Sequence, residues 1–149
     1  MKIALGSDHG GFDYKKELIS FLNENGYETV DIGTFEEGVP ASWSVYGVKT
    51  AQAVASGEAD FGIVICRSGI GVSIAANKVK GIYCGLVYND TIAEKCMQHD
   101  GCNMIAFGAD YVSIEDAKRQ TLLYLNAKFE GGRHLARLNQ LKDYENSKK

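Results

Sequence analysis

The sequence predicts an α/β fold: a five-stranded parallel sheet with helices on both faces and one more helix at the C-terminal end. Two observations carry this reading. Short apolar, β-branched runs alternate with amphipathic stretches of roughly 10–15 residues, which is the pattern of βαβ units. Polar, glycine-bearing turns follow the first and third of those runs, Asp8-His9-Gly10-Gly11 and Cys66-Arg67-Ser68-Gly69-Ile70-Gly71. With 149 residues and a single proline, residues 1–149 read as one domain with no linker.

Lys2–Ser7 is the first strand, and Phe12–Asn25 is a helix with Phe12, Leu18, Ile19 and Leu22 at helical spacing. Lys15, Lys16 and Glu17 fall on its predicted wet side, and Gly26 closes it. Tyr27–Ile32 is the second strand, followed by an acidic loop, Gly33–Trp43. Ser44 is a candidate cap for a helix to Ser56, with Val45, Val48, Ala51 and Val54 inward. Phe61–Cys66 is the third strand, and a small-residue helix begins near Val72. Ile82–Val87 is the fourth strand, Asn89 or Asp90 caps a helix to His99, and Asn103–Phe107 is the fifth strand. Ser113-Ile114-Glu115-Asp116 reads as a capping box opening a helix to Lys128. Gly131-Gly132 breaks the chain before a last amphipathic helix, Arg133–Glu145, whose Leu135, Leu138 and Leu141 share one side. That side needs a cover, either the chain's own core or a partner subunit.

The formal net charge is −3, with no block of Lys or Arg, so neither nucleic acid nor a membrane surface is an expected partner. No apolar run approaches a membrane span, and the first residues read as a strand rather than a signal peptide. The four cysteines, Cys66, Cys84, Cys96 and Cys102, form no C-x-x-C pair. Reduced thiols in the cytoplasm, with neither disulfides nor zinc, are the expectation.

In a parallel sheet every strand ends at one edge, where open α/β sheets bind ligands. That edge gathers Asp8-His9, Cys66–Gly71 and Tyr88–Asp90. A cysteine ending a buried strand is commonly a small core residue. Cys66, however, stands at a glycine turn before a helix N-terminus, a setting that favours the thiolate. The turn lacks the arginine of a phosphatase loop and the Gly-Lys-Ser/Thr ending of a Walker loop. Gly69 and Gly71 fit a nest of backbone N–H groups for a phosphate or a developing oxyanion. His99 precedes the fifth strand and so lies at the opposite edge of its own chain, reaching the site only from a neighbouring subunit or by an unusual loop path. Arg133, His134 and Arg137 put potential cations on adjacent turns of one helix, suited to phosphate or simply to solvent. Asn77, Lys78 and Asn103 are candidate polar ligands without being diagnostic.

Taken together, GSDHGGF at the start, C-x-[ST]-G-x-G followed by SIAANK, the His99…Asn103 spacing with AFG after it, and EGGRH-x-x-R near the end resemble the ribose-5-phosphate isomerase B family, which includes galactose-6-phosphate isomerase subunits. The resemblance spans nearly the whole chain. It implies a Rossmann-like three-layer sandwich, no metal or other cofactor, and a homodimer or homotetramer with sites shared between subunits. The implied substrate is a phosphorylated sugar, and the implied reaction interconverts aldose and ketose through an enediolate. On the matching positions, Cys66 is the base and Ser68 assists proton movement at the sugar oxygens. Gly69, Ile70 and Gly71 hold the enediolate oxygen. Asp8 and His99 open the sugar ring, His99 coming from the neighbouring subunit. His9, Arg133 and Arg137 contact phosphate, and Asn103 contacts the sugar.

Four positions depart from the family pattern. Arg67 stands where glycine is usual, filling part of the pocket or adding a second cation beside the thiol. Asp100 replaces an asparagine, and Tyr83 an arginine. The Asp-Tyr-Pro stretch of the second loop gives way to Val39-Pro40-Ala41-Ser42-Trp43-Ser44, in which Trp43 is a candidate aromatic wall. All four are expected at or near the pocket, which leaves open whether the sugar is a tetrose, pentose or hexose phosphate. A non-catalytic sugar-phosphate binder and a flavodoxin-like nucleotide module are the alternative readings.

Overall fold

The computed structural model describes residues 1–147. Five strands, β1 (Lys2–Ser7), β2 (Glu28–Gly33), β3 (Phe61–Cys66), β4 (Cys84–Leu86) and β5 (Met104–Gly108), form one parallel sheet in the order β2-β1-β3-β5-β4. The helices are α1 (Phe12–Glu24), α2 (Trp43–Ala55), α3 (Ile70–Asn77), α4 (Asp90–Gln98), α5 (Ile114–Asn126) and α6 (Arg133–Ser147).

Side chains alternate across each strand, so the sheet has two unlike faces. Ile3, Leu5, Ile63, Ile65, Ile105 and Phe107 meet Leu18 and Leu22 of α1, Ala93 and Met97 of α4, and Ala117 and Tyr124 of α5. On the other face the residues are mostly smaller: Ala4, Val64 and Ala106 meet Ala51 and Val54 of α2 and Val72 and Ala76 of α3. Gly62 lies under α2 so closely that a Cβ there would be 2.9 Å from Val54 Cγ2. Small residues thus set how near α2 lies to the sheet.

The chain leaves β1 through α1, on the large-residue face, and leaves β3 through α3, on the small-residue face. The two central strands therefore send their connections to opposite sides. A crevice opens between Asp8 and Cys66, at the topological switch point.

Several sequence expectations need correction. Ser42, not Ser44, caps α2, accepting the Ser44 N–H at 3.2 Å. Val45 consequently turns outward and is exposed. α3 begins at Ile70, because Gly69 already adopts the left-handed cap conformation at φ 79°. Lys15 is not on a wet face: it is fully buried, and its ammonium donates to Asp31 Oδ1 and to the Thr34 carbonyl at 2.8 Å. Periodicity alone misplaces such a residue, because a buried cation is rescued by partners distant in sequence. β4 is shorter than expected, because Tyr83 N–H and Cys84 N–H donate to the side chains of Asn103 and Asn77 rather than along a ladder. Asn89 caps α4 and Ser113 caps α5. Asp116 does not complete a capping box; its carboxylate pairs with Arg119 at 2.9 Å.

Candidate active site

The crevice at the C-terminal ends of β1 and β3 is a cleft of about 330 Å³ lined by Asp8, His9, Trp43, Cys66, Arg67, Ser68, Gly71, Asp110 and Tyr111. Cys66 is only 4% exposed. One side of it packs into the small-residue core and the other lines this cleft. Its sulfur accepts the Gly69 N–H at 3.2 Å, a main-chain donor suited to a thiolate. The left-handed Gly69 makes that approach possible. A Cβ at Gly69 would be strained by its backbone angle and would press on the main chain of Phe107 and Gly108, at 2.8 and 2.9 Å.

Ser68 faces the same cleft, and its hydroxyl accepts the Ile70 N–H at 3.2 Å. The amides of Gly69 and Ile70 are therefore engaged within the turn. Gly71 and Val72 are the next donors in the first turn of α3, where helix geometry leaves N–H groups without an intrahelical acceptor. Asp8 is buried and caps the short 3-10 turn His9–Gly11 by accepting the Gly11 N–H at 3.1 Å. His9 Nδ1 sits between Ala41 N–H at 3.1 Å and Ala41 O at 3.2 Å, so the loop before α2 can hold either tautomer of the ring. Its Nε2 is then left for a ligand.

Trp43 is the aromatic wall expected of the second loop. Its indole lies on Gly71, where a Cβ would be 2.7 Å from Trp43 Cδ2. Arg67 runs across the Gly10 turn, its Cγ 2.8 Å from where a Gly10 Cβ would be. It is 68% exposed and faces Asp110 at 3.7 Å. Asp110 and Tyr111 escaped the sequence reading. The available signal was their position just past β5, at the same edge. Asn89 and Asp90, expected at that edge, are occupied otherwise: Asn89 caps α4, and Asp90 pairs with Arg119 at 3.0 Å. The Arg119 guanidinium beside Asp90 holds its carboxyl below the usual range.

The remaining candidates are not at this cleft in their own chain. His99 ends α4 at the opposite edge, where its ring stacks on His134 with centroids 4.4 Å apart and planes 10° apart. Glu130 lies 3.7 Å from both imidazoles. Burial, then the neighbouring His99 and Arg133, hold His134 below the ordinary histidine value. Arg133 and Arg137 belong to the same helix, and Arg137 donates to the Arg133 carbonyl at 3.0 Å. Ligand atoms of His99, Glu130 and His134 fall within 4.8 Å of one another, near enough for a cation. Two nearly parallel rings do not aim their lone pairs at one point, however, and the adjacent arginines favour an anion instead.

Asn103 has a different task from the expected sugar contact: Oδ1 accepts from Tyr83 N–H and Nδ2 donates to the Gly81 carbonyl, both at 2.9 Å. Asn77 likewise clamps Cys84. Of the four departures from the family pattern, Arg67 and Trp43 line the Cys66 cleft. Asp100 follows His99 at the far edge, and Tyr83 packs near α6, where burial and then Glu145 push its phenol up.

The family model described as Ribose/Galactose Isomerase matches residues 3–141. This chain belongs to the ribose/galactose isomerase family. A ribose-5-phosphate isomerase B of Escherichia coli strain K12 is 41% identical over 140 residues, covering 94% of this chain and 93% of that protein. A galactose-6-phosphate isomerase subunit LacA of Clostridium acetobutylicum is 38% identical over 141 residues, covering 95% and 97%. Among solved structures of the family, ribose-5-phosphate isomerase B of Clostridium thermocellum superposes with a TM-score of 0.96 at 41% identity, covering 99% of both chains. That of Mycoplasma genitalium, determined with bound ribulose-5-phosphate, gives 0.94 at 32% identity over 99% and 97%. The Rossmann-like α/β architecture of this family member is thus the one its relatives share.

Proposed function

We propose that this protein is a metal-independent aldose–ketose isomerase for a phosphorylated sugar, with Cys66 as the base. The supporting observation is the Cys66 sulfur, held by the Gly69 amide on the wall of a cleft that Asp8, His9 and Ser68 also line. In the open-chain aldose, the Cys66 thiolate takes the proton on C2, and the electron pair moves into the carbonyl to form an enediolate. The free amides at the start of α3 offset the developing charge, each typically worth about 3–4 kcal/mol. Ser68 relays the proton between O2 and O1, and Cys66 returns its proton to C1. Such a base contributes roughly 10²–10⁴-fold.

The cleft contains His9 and Arg67 as groups for an anion but not the cations of α6. None of the residues of α6 is buried, and Leu135 and Leu141 are exposed along it. Ile70 and Ile74, one turn apart on α3, are exposed beside the Cys66 cleft. Pairing two chains through these apolar faces would cover both and bring the partner's His99, Arg133 and Arg137 over the first chain's cleft. The proposal is therefore a homodimer, or a homotetramer of two such dimers, in which Asp8 and the partner's His99 open the sugar ring and the partner's arginines hold the phosphate. No described helix is long and apolar enough to cross a membrane. This reading places the enzyme in the cytoplasm with its phosphorylated substrate.

Solvent deuterium uptake at C2, followed by NMR across tetrose, pentose and hexose phosphates, tests the reading. Uptake with at least one sugar, lost in Cys66→Ala, is expected. Tight binding of a sugar phosphate with no uptake by the intact protein would make it a binding protein instead.

A further inference from the structure

Three of the four cysteines have no part in this chemistry, and two of them are neighbours. Cys96 on α4 and Cys102 just before β5 belong to the core on the large-residue face, whereas Cys66 and Cys84 belong to the opposite face. The Cys96 and Cys102 thiols are neighbours in that core. Both sulfurs close over Gly85: a Cβ there would be 3.3 Å from Cys102 Sγ and would collide with Cys96 Sγ. The backbones are joined as well, Cys102 N–H donating to the Cys96 carbonyl at 2.8 Å. Two residues so joined have their Cα atoms close enough for a disulfide, whose usual span is about 4.4–6.8 Å. The chain between them, Met97 to Gly101, carries His99.

We propose that Cys96 and Cys102 are an oxidation site, forming a reversible disulfide that closes the turn carrying His99. All four cysteines are free thiols in the structure. In reducing surroundings such pairs are typically transient and redox-sensing. The oxidant is hydrogen peroxide. The neighbouring Cys102 thiol holds the Cys96 thiol below its ordinary range, while Cys96 and then burial push Cys102 up, so Cys96 ionises first. Its thiolate attacks one peroxide oxygen, the O–O bond breaks, and water leaves once the departing oxygen is protonated, giving a sulfenic acid. Cys102 sulfur then displaces hydroxide from that sulfenic acid. The hydroxide takes the Cys102 proton and leaves as a second water. The two sulfurs lose two electrons in total, and the peroxide gains them.

The new bond brings the two sulfurs from non-bonded contact to about 2.05 Å. It therefore draws the end of α4 toward β5, and His99 is the residue that caps this end. Its stack on His134 would shift with it. The consequence for turnover rests on the isomerase reading; the bond and the movement do not.

The experiment treats the reduced full-length protein with hydrogen peroxide, blocks free thiols with iodoacetamide and digests with trypsin. Residues 96–118 form one tryptic peptide containing Cys96 and Cys102 and no other cysteine. After peroxide it should be two hydrogen atoms lighter and free of alkyl groups, and dithiothreitol should restore both labels. The imidazole NMR signals of His99 and His134 should shift on oxidation in the wild type and stay fixed in Cys102→Ser, with Cys96→Ser as a second variant. Two alkyl groups on that peptide at peroxide levels that already oxidise Cys66 would overturn the proposal. A formed disulfide with unmoved imidazole signals would overturn its coupling to His99. Neither readout depends on turnover, so failure of the isomerase reading would register separately, as absent deuterium uptake in the reduced protein.

Discussion

The Gly69 amide points at the Cys66 sulfur from 3.2 Å, and a left-handed glycine is what brings it there. Cys66 lines a cleft, while Cys96 is enclosed with Cys102 over Gly85, and Cys84 and Cys102 are held above the ordinary thiol range, Cys84 chiefly by burial and Cys102 chiefly by its neighbour Cys96. Iodoacetamide should therefore modify Cys66 before Cys84, Cys96 or Cys102, and a bound sugar phosphate should slow it. Peptide mapping reads the order. Prior labelling of another cysteine with loss of activity would move the reactive centre elsewhere.

Arg67 and Asp110 face each other at 3.7 Å across the cleft mouth with most of the guanidinium in solvent. An exposed pair of this kind contributes only about 0–1 kcal/mol to folding. Arg67→Gly should leave the unfolding midpoint nearly unchanged and raise KM for a phosphorylated sugar about tenfold, the worth of one charge-assisted hydrogen bond. An unchanged KM would leave Arg67 as rim alone.

Among the described residues Arg137 bonds only its own helix's Arg133 carbonyl, at 3.0 Å, leaving the rest of its fork for an anion. Arg137→Ala should raise KM more than it lowers kcat, because phosphate is held equally in the ground and transition states. Steady-state kinetics on the sugar that exchanges deuterium would show it, and an unaltered KM would remove Arg137 from the phosphate site.

His134 is held below the ordinary value of 6.5 by burial, by His99 and by Arg133. The unfolded chain binds a proton at higher pH than the folded one, so the His134 contribution is fully present above pH 6.5 and is lost as pH falls through the folded value. The thermal midpoint of the wild type should drop more steeply below that pH than that of His134→Gln. Parallel curves for the two proteins would show that the stack does not couple to protonation.

Much of this was legible in the sequence for identifiable reasons. β1 and β3 carry uninterrupted apolar runs bounded by glycine turns, and both ends match the structure. The Cys66–Gly71 turn was legible because sulfur, hydroxyl and glycine adjoin in the chain. What escaped depends on partners far apart in sequence. Lys15 finds Asp31 and Thr34, and Asn103 is claimed by Gly81 and Tyr83. Asp110 becomes a site residue only because β5 lies beside β3. No local pattern encodes these neighbours. Helix starts shifted for a similar reason: Ser42 and Ser44 are both plausible caps, and the choice is made where Trp43 settles on Gly71.

A thiol in one chain and an imidazole at the opposite sheet edge can act on one substrate only if two chains build each site. The direct measurement mixes an inactive Cys66→Ala chain with an inactive His99→Ala chain and assays isomerisation after subunit exchange. Mixed dimers should recover a substantial fraction of wild-type turnover, because one of their two sites has both groups intact. Proven mixed dimers with no recovery would contradict a site assembled from two subunits.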